Sequence, residues 1–218
     1  MAQPTNTFDT YDSVGNREDL SNAIHLLDTS ATPFLSALEK VTATSTKHEW
    51  QTEALASASA SNFVIEGDDA TTDATTATSR RYNYTGISDK VALVSGTQEV
   101  IKKAGRNSEM AKQMAKRAKE LKKDQEAILL ANQAAAVGTD TTARNVAGAQ
   151  AWIKTNINKA ADATAPTGDG TDIHTDGTPR ALQESFIEAA LADAWDSGGN
   201  PTMGICGKFQ KRKIAGFS

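Results

Sequence analysis

The chain has 218 residues, with 23 Lys and Arg against 27 Asp and Glu, one cysteine and a formal charge of -4. Hydrophobic residues make up 39%, but 36 of them are alanine, so few large apolar side chains remain for a core, and no run approaches the ~18 apolar residues of a membrane span. The first residues form neither a basic nor an apolar leader, and Cys206 has no Cys or His cluster near it; this argues against a secretory signal, an internal disulfide and a zinc site, and fits synthesis in a reducing compartment.

The charge is unevenly placed. Residues 1–97 carry 6 basic and 13 acidic side chains, residues 98–144 carry 10 and 6, and residues 145–218 carry 7 and 8. A positive element therefore lies between acidic ones, and the two signs can attract each other within one molecule or between copies.

Residues 1–45 are rich in Thr, Asp and Ser with scattered apolar anchors, among them Phe8, Tyr11, Phe34 and Leu35. Short helices are expected at Asp19–Ile24 and at 32–38, the second with Pro33 in its first turn. Neither can stand alone, so this segment reads as an arm lying across its own body or a neighbour. Over 46–97, KHEWQTE and RYNYT read as strands, rich in aromatic and β-branched residues, with Trp50, Tyr82 and Tyr84 as anchors. An acidic, low-complexity stretch containing Phe63 joins them, which suggests a projecting two-stranded ribbon. Strands of ten residues would reach ~30 Å, and such a ribbon needs a partner surface because an isolated one is marginal in water.

Thr97 is the expected cap of a short helix, 98–104, closed by Gly105, and Asn107 or Ser108 that of a long helix running to about Ala135. Met110, Met114, Ala118, Leu121, Gln125 and Ile128 share one face of it. Lys112, Lys116, Lys119 and Lys123 form a basic stripe on the opposite side. About 28 helical residues would give a rod of ~42 Å and an elongated molecule. Residues 138–179 are rich in Gly, Thr and Asp, with one apolar island at 151–153. Thr178 and Pro179 are the expected start of a helix with Leu182, Phe186, Ala190 and Ala194 on its core face, ended by Gly198 and Gly199. Met203–Cys206 reads as a short buried strand, with Cys206 as a small hydrophobe, and 208–217 as the start of another helix.

No catalytic constellation emerges. Gly67-Asp68-Asp69 matches a polymerase metal tripeptide but lies in low-complexity sequence, where a loop turn is the better reading. Asp169, Asp172, His174 and Asp176 fail the EF-hand spacing, and Gly207-Lys208 lacks the upstream glycine and the following Ser or Thr of a phosphate loop. The histidines His25, His48 and His174 have no nucleophile signature beside them. No cofactor is expected. The basic stripe has three open readings: a solvated face, a contact with an acidic arm of another copy, or a weak, sequence-independent contact with nucleic-acid phosphates, since no aromatic residue interleaves it for base stacking.

Segment order and wording then add to this reading. The stretches TYDSVGNREDLSNAI, DTSATPFLSAL, KHEWQTEAL, SNFVIEGDDAT, YTGISDKVALVSGTQE and KAGRNSEMAKQMAKRAKELKKDQEAILL resemble those of tailed-bacteriophage major capsid proteins of the Hong Kong 97-type fold. The resemblance implies an α+β chain with an N-terminal arm at 1–45, an extended two-stranded loop overlapping the adjacent subunit at 46–97, a peripheral domain with its spine helix at 98–179, and the start of an axial domain at 180–218. It implies a structural protein and no enzyme, with copies arranged as hexamers and pentamers in an icosahedral virion shell around double-stranded DNA, made in the host bacterial cytoplasm and without a membrane partner. A separate scaffolding protein is expected, because no scaffolding segment precedes the arm, and portal and decoration proteins are the other implied partners. The candidate contacts it suggests are Lys112, Lys116, Lys119 and Lys123 toward DNA or a neighbour, and Phe8, Tyr11, Phe34, Leu35, Trp50, Phe63, Tyr82 and Tyr84 along the arm and loop. Family members run on past the equivalent of Ser218, so a longer chain or another source is expected to supply the remaining strands.

Overall fold

A computed structural model describes residues 6, 7, 10, 11, 13, 14, 24–26, 31–70 and 72–217. Helices and one small antiparallel sheet give it an α+β architecture, in the order α1 (Pro33–Ala37), β1 (Lys47–Thr52), β2 (Ser79–Tyr84), α2 (Gly96–Val100), α3 (Glu109–Leu130), α4 (Ala149–Trp152), α5 (Glu184–Asp196) and α6 (Lys208–Ile214). Two compact units divide it: Met1–Ser30 with Lys90–Leu121, and Ala31–Asp89 with Lys122–Ser218. The helix expected over Asp19–Ile24 lies outside the described residues apart from Ile24.

In the second unit, β1 and β2 pair antiparallel with Trp50 opposite Arg81 and Lys47 opposite Tyr84. Strand alternation puts His48, Trp50 and Asn83 on one face and Lys47, Glu49, Tyr82 and Tyr84 on the other. Each strand is six residues long rather than ten, so the paired part spans only ~20 Å. The pairing stops at Thr52 and Ser79 because the Ala, Ser and Thr residues beyond them offer no aromatic or branched cross-strand pairs.

The core of this unit lies where the sequence reads as loop. Ala147, Ala151 and Ala163 are its buried apolar side chains, and Pro166 is fully enclosed. Small residues fit here because the backbone crosses itself closely. Ala136 and Asn145 exchange backbone hydrogen bonds, as do Thr164 and Thr175. Asn132 donates from Nδ2 to the His174 carbonyl at 2.6 Å and accepts from the His174 N–H at 3.0 Å, tying positions 42 residues apart. The ribbon's first face rests on this core: the Trp50 and Trp152 rings lie 5.1 Å apart, and Asn83 Oδ1 accepts from the Ala147 N–H at 3.0 Å.

Several element ends differ from expectation, each for a local reason. Ser95, not Thr97, caps α2, its hydroxyl accepting from the Gln98 N–H. That helix ends at Val100, where Lys103 Nζ donates to the carbonyls of Gln98 and Glu99; Gly105 takes a positive φ of 74° five residues later, in the following turn. Ser108 caps α3 through the Ala111 N–H. The long helix stops at Leu130, short of Ala135, because the Ala135 N–H donates to Gly170 and the Ala136 N–H to Asn145 instead of continuing the ladder. At ~1.5 Å per residue its 22 residues span ~33 Å rather than ~42 Å.

Thr178 does not cap α5, which begins at Glu184; its N–H and hydroxyl both bond the Asp162 carboxylate. Leu182, Phe186, Ala190 and Ala194 do share the half-buried side of this segment, with the Arg180 guanidinium over the Phe186 ring at 4.3 Å. Gly198, at φ 82°, closes the helix as expected. Met203–Cys206 has no regular secondary structure, is exposed and pairs with no strand among the described residues, so Cys206 is not buried.

Candidate functional site

The candidate surfaces fall on three elements: α3, the ribbon and α1. In the first unit, the start of α3 is built by carboxylates. Glu99 Oε2, carried by α2, accepts from the N–H groups of Glu109 at 2.9 Å and Met110 at 3.2 Å, neutralising the positive end of the helix. The Ser108 hydroxyl, with these N–H groups and Lys103, holds the Glu99 carboxyl below its ordinary range. Glu109 is buried and bonded by Gln113 and Arg106, which depress its pKa likewise.

All four stripe lysines lie on α3, at spacings that keep them on one face: Lys112, Lys116 and Lys119 in the first unit and Lys123 one turn on, in the second. Part of their charge is compensated. Lys116 Nζ stands 3.8 Å from Glu120 Oε1, while Arg117 donates to Glu120 Oε2 at 2.6 Å. The Arg117 bond leads in depressing the Glu120 pKa. The apolar face of α3 is only partly covered. In the first unit Met114 is 61% exposed, and a cleft runs along Met110, Met114, Ala118 and Leu121 with Val91 on its far side.

The ribbon presents an aromatic and charged outer face. Lys47 Nζ sits 4.1 Å above the Tyr82 ring and 2.7 Å from Glu49 Oε1, and Tyr82 meets Tyr84 edge to face at 5.7 Å. Their mutual hydrogen bond raises the pKa of Lys47 and lowers that of Glu49. Beyond the strands, every described residue from 53 to 78 is exposed. Phe63, Val64 and Ile65 are consecutive and 90%, 87% and 78% exposed, followed by a turn at Gly67 with φ 84°. The Gly67-Asp68-Asp69 tripeptide is thus part of a loop turn.

Phe34 and Leu35 are half-buried on their own unit, their N–H groups bonded to Glu126 Oε1 at 2.9 Å and Oε2 at 2.7 Å. Glu126 thereby caps α1 from α3. Tyr11 is exposed, and Phe8 lies outside the described residues. The aspartates of the glycine-rich region bond threonines: Asp169 Oδ1 accepts from the Thr171 hydroxyl and N–H at 2.6 and 3.0 Å, and Asp172 from the Thr167 N–H at 2.9 Å. The hydroxyls of Thr171 and then Thr167 pull the Asp169 pKa down to about 2. Sequence reasoning missed Asn83, Glu99, Glu126 and Asn132 as tethers, since none carries a motif; each bonds backbone groups that only folding brings near.

The family model described as SU10 major capsid protein matches residues 3–218. A curated major capsid protein of Escherichia phage Phieco32 is 39% identical over 134 residues, covering 62% of this chain and 38% of that protein. The match therefore spans well under half the length of that relative.

Proposed function

Because the chain belongs to the SU10 major capsid protein family and is a structural capsid protein of a phage, we propose that it self-assembles into an icosahedral head shell around double-stranded DNA, in the Hong Kong 97-type fold. In this reading residues 1–45 are the arm, 46–97 the extended loop over the adjacent subunit, 98–179 the peripheral domain and 180–218 the start of the axial domain. Copies form hexamers and pentamers, and scaffolding, portal and decoration proteins complete the head. The chain is made in the host cytoplasm and resides in the virion.

The observation that carries the reading is the exposed apolar surface on elements with no core of their own. Phe63, Val64 and Ile65 at the ribbon tip and Met114 on α3 face solvent in the single chain, and contiguous apolar surface of this kind marks contact sites. Repetition of one modest contact on a closed symmetric lattice is enough for a stable shell. Electron microscopy of the chain expressed with its head proteins tests this: shells, rings or sheets are expected, and a protein that stays monomeric refutes it.

Lys112, Lys116, Lys119 and Lys123 serve contacts between copies in this reading. The pairing of Lys116 with Glu120, and the position of Lys112 near Glu109, suit a structured protein interface better than a phosphate track. Replacing all four by Gln is expected to reduce assembled material in sedimentation at least several-fold while leaving duplex DNA affinity within about twofold. A collapse of DNA affinity with normal shells would instead favour the nucleic-acid reading of this stripe.

A further inference from the structure

We propose that α6 is a contact surface for the phosphate backbone of double-stranded nucleic acid. The observation is an uncompensated cluster. Residues 203–217 contain Lys208, Lys211, Arg212 and Lys213 and no acidic residue. All four are exposed, and among the described residues none makes an ion pair or a side-chain hydrogen bond; Lys213 Nζ only stands 5.8 Å over the Phe209 ring.

The helix sorts these charges. Lys208, Lys211 and Arg212 fall at i, i+3 and i+4, which places them on one face within a single turn, while Phe209 and Ile214 fall to either side of it. Like charges so placed repel one another, at a cost to an isolated helix. Lys211, Arg212 and Lys213 in the last turn gain from the helix dipole, yet Lys208 at the first position is on the unfavourable end and gains nothing. A partner of opposite charge removes the repulsion.

The chemistry of that partner follows from what the face lacks. A protein interface is anchored by a buried aromatic or aliphatic residue; on the face that carries Lys208, Lys211 and Arg212 the next turn adds only Ala215, and the apolar cleft that Ile214 and Lys211 line with Ile187, Leu191, Met203 and Ile205 lies beside that face. A phosphate backbone asks only for positive charge in register, without an apolar anchor. The glutamates that answer α3 have no counterpart here, so α6 fits a polyanion better than the stripe on α3.

The partner named here is the DNA of the proposed shell, so its biological setting rests on that reading; the chemistry rests on α6 alone. Fluorescence anisotropy of a mixed-sequence duplex with the full chain, from 50 to 200 mM salt, measures it. Three neutralised phosphates predict a log–log slope near −2.7, a fall of roughly 40-fold across that range. The combined Lys208→Gln, Lys211→Gln, Arg212→Gln and Lys213→Gln variant is expected to lose at least tenfold in affinity at 50 mM, with a flattened slope. Lys208→Arg with Lys211→Arg and Lys213→Arg should bind as the parent does, as should the α3 Gln variant.

Should the combined Gln variant fail to fold by circular dichroism, Lys208→Gln, Lys211→Gln and Arg212→Gln made singly should each lower the slope by about one. Unchanged affinity and slope in the α6 Gln variants, or no binding by the parent at 50 mM, overturns the inference. It is also overturned if the variants bind duplex normally but lose a synthetic peptide of residues 58–73, which would make α6 a contact between copies. Sedimentation of the same preparations separates the two readings: absence of shells from the parent defeats the shell assignment, while the salt slope alone decides α6.

Discussion

Gly148 sets how closely the turn into α4 approaches the end of α3. Its φ of −74° suits any residue, so the requirement for glycine is spatial: a Cβ there would stand 1.8 Å from the Ala131 carbonyl oxygen. Gly148→Ala must push two backbone segments apart in the only buried apolar cluster of the described residues, costing about 3 kcal/mol or more. Thermal melting checks this; a midpoint within two degrees of the parent would show that the turn yields cheaply. Asp169 gives a pH dependence. Its folded pKa of about 2 lies below the ordinary carboxyl value of ~3.9, so its contribution is present above ~pH 4 and is lost as pH falls through 2. Asp169→Asn removes the titration: between pH 4 and 2 the variant should lose less stability than the parent, as read from denaturant midpoints. Parallel losses would contradict the assignment.

Elements on this chain are held by single polar side chains that reach another element's backbone. Asn83 on β2 is the example with the largest expected effect, because its Oδ1 is the acceptor for the N–H of buried Ala147. Asn83→Ala leaves that N–H unsatisfied at a cost of ~1–3 kcal/mol, and it loosens the ribbon from the body where Trp50 lies on Trp152. Hydrogen exchange at Ala147 should quicken and Trp fluorescence should shift; protection equal to the parent's would mean that another acceptor takes over. The same device recurs at Glu126 on α1 and Glu99 on α3, where a carboxylate from another element bonds the first N–H groups, on α3 in addition to the Ser108 cap.

At the scale of the whole molecule, the proposed shell assigns assembly to the exposed ribbon and folding to the rest of its unit. The 26 residues from 53 to 78 contribute nothing buried among those described, so deleting 58–78 removes no core. The shortened chain should stay soluble, with a thermal midpoint within a few degrees of the parent, while shell yield falls by tenfold or more in sedimentation. Normal shells from this deletion would show that the ribbon tip does not bridge copies. The exposed run Phe63–Ile65 is the reason for expecting otherwise, since three consecutive large apolar residues in solvent are costly unless a contact uses them.

Local signals in the sequence determined much of this protein: the paired strands around Trp50 and Tyr82, the long helix with opposed apolar and basic faces, the proline start of α1 and the glycine stop of α5. These are period, alternation and punctuation, which depend on neighbours a few residues away. The phrases resembling phage capsid proteins carried the family as well. Tertiary structure alone decided where the core lies, because the glycine- and threonine-rich stretch offers few large apolar residues and is organised by Asn132 on His174, Thr178 on Asp162 and Gly148 against Ala131. It also decided that the apolar side of α3 is open along Met114, that Met203–Cys206 lacks a strand partner among the described residues, and that Lys116 and Arg117 of α3 meet Glu120 while the cations of α6 meet no carboxylate among those residues. Each of those depends on which residues distant in sequence come within a few ångströms, and no period along the chain encodes that distance.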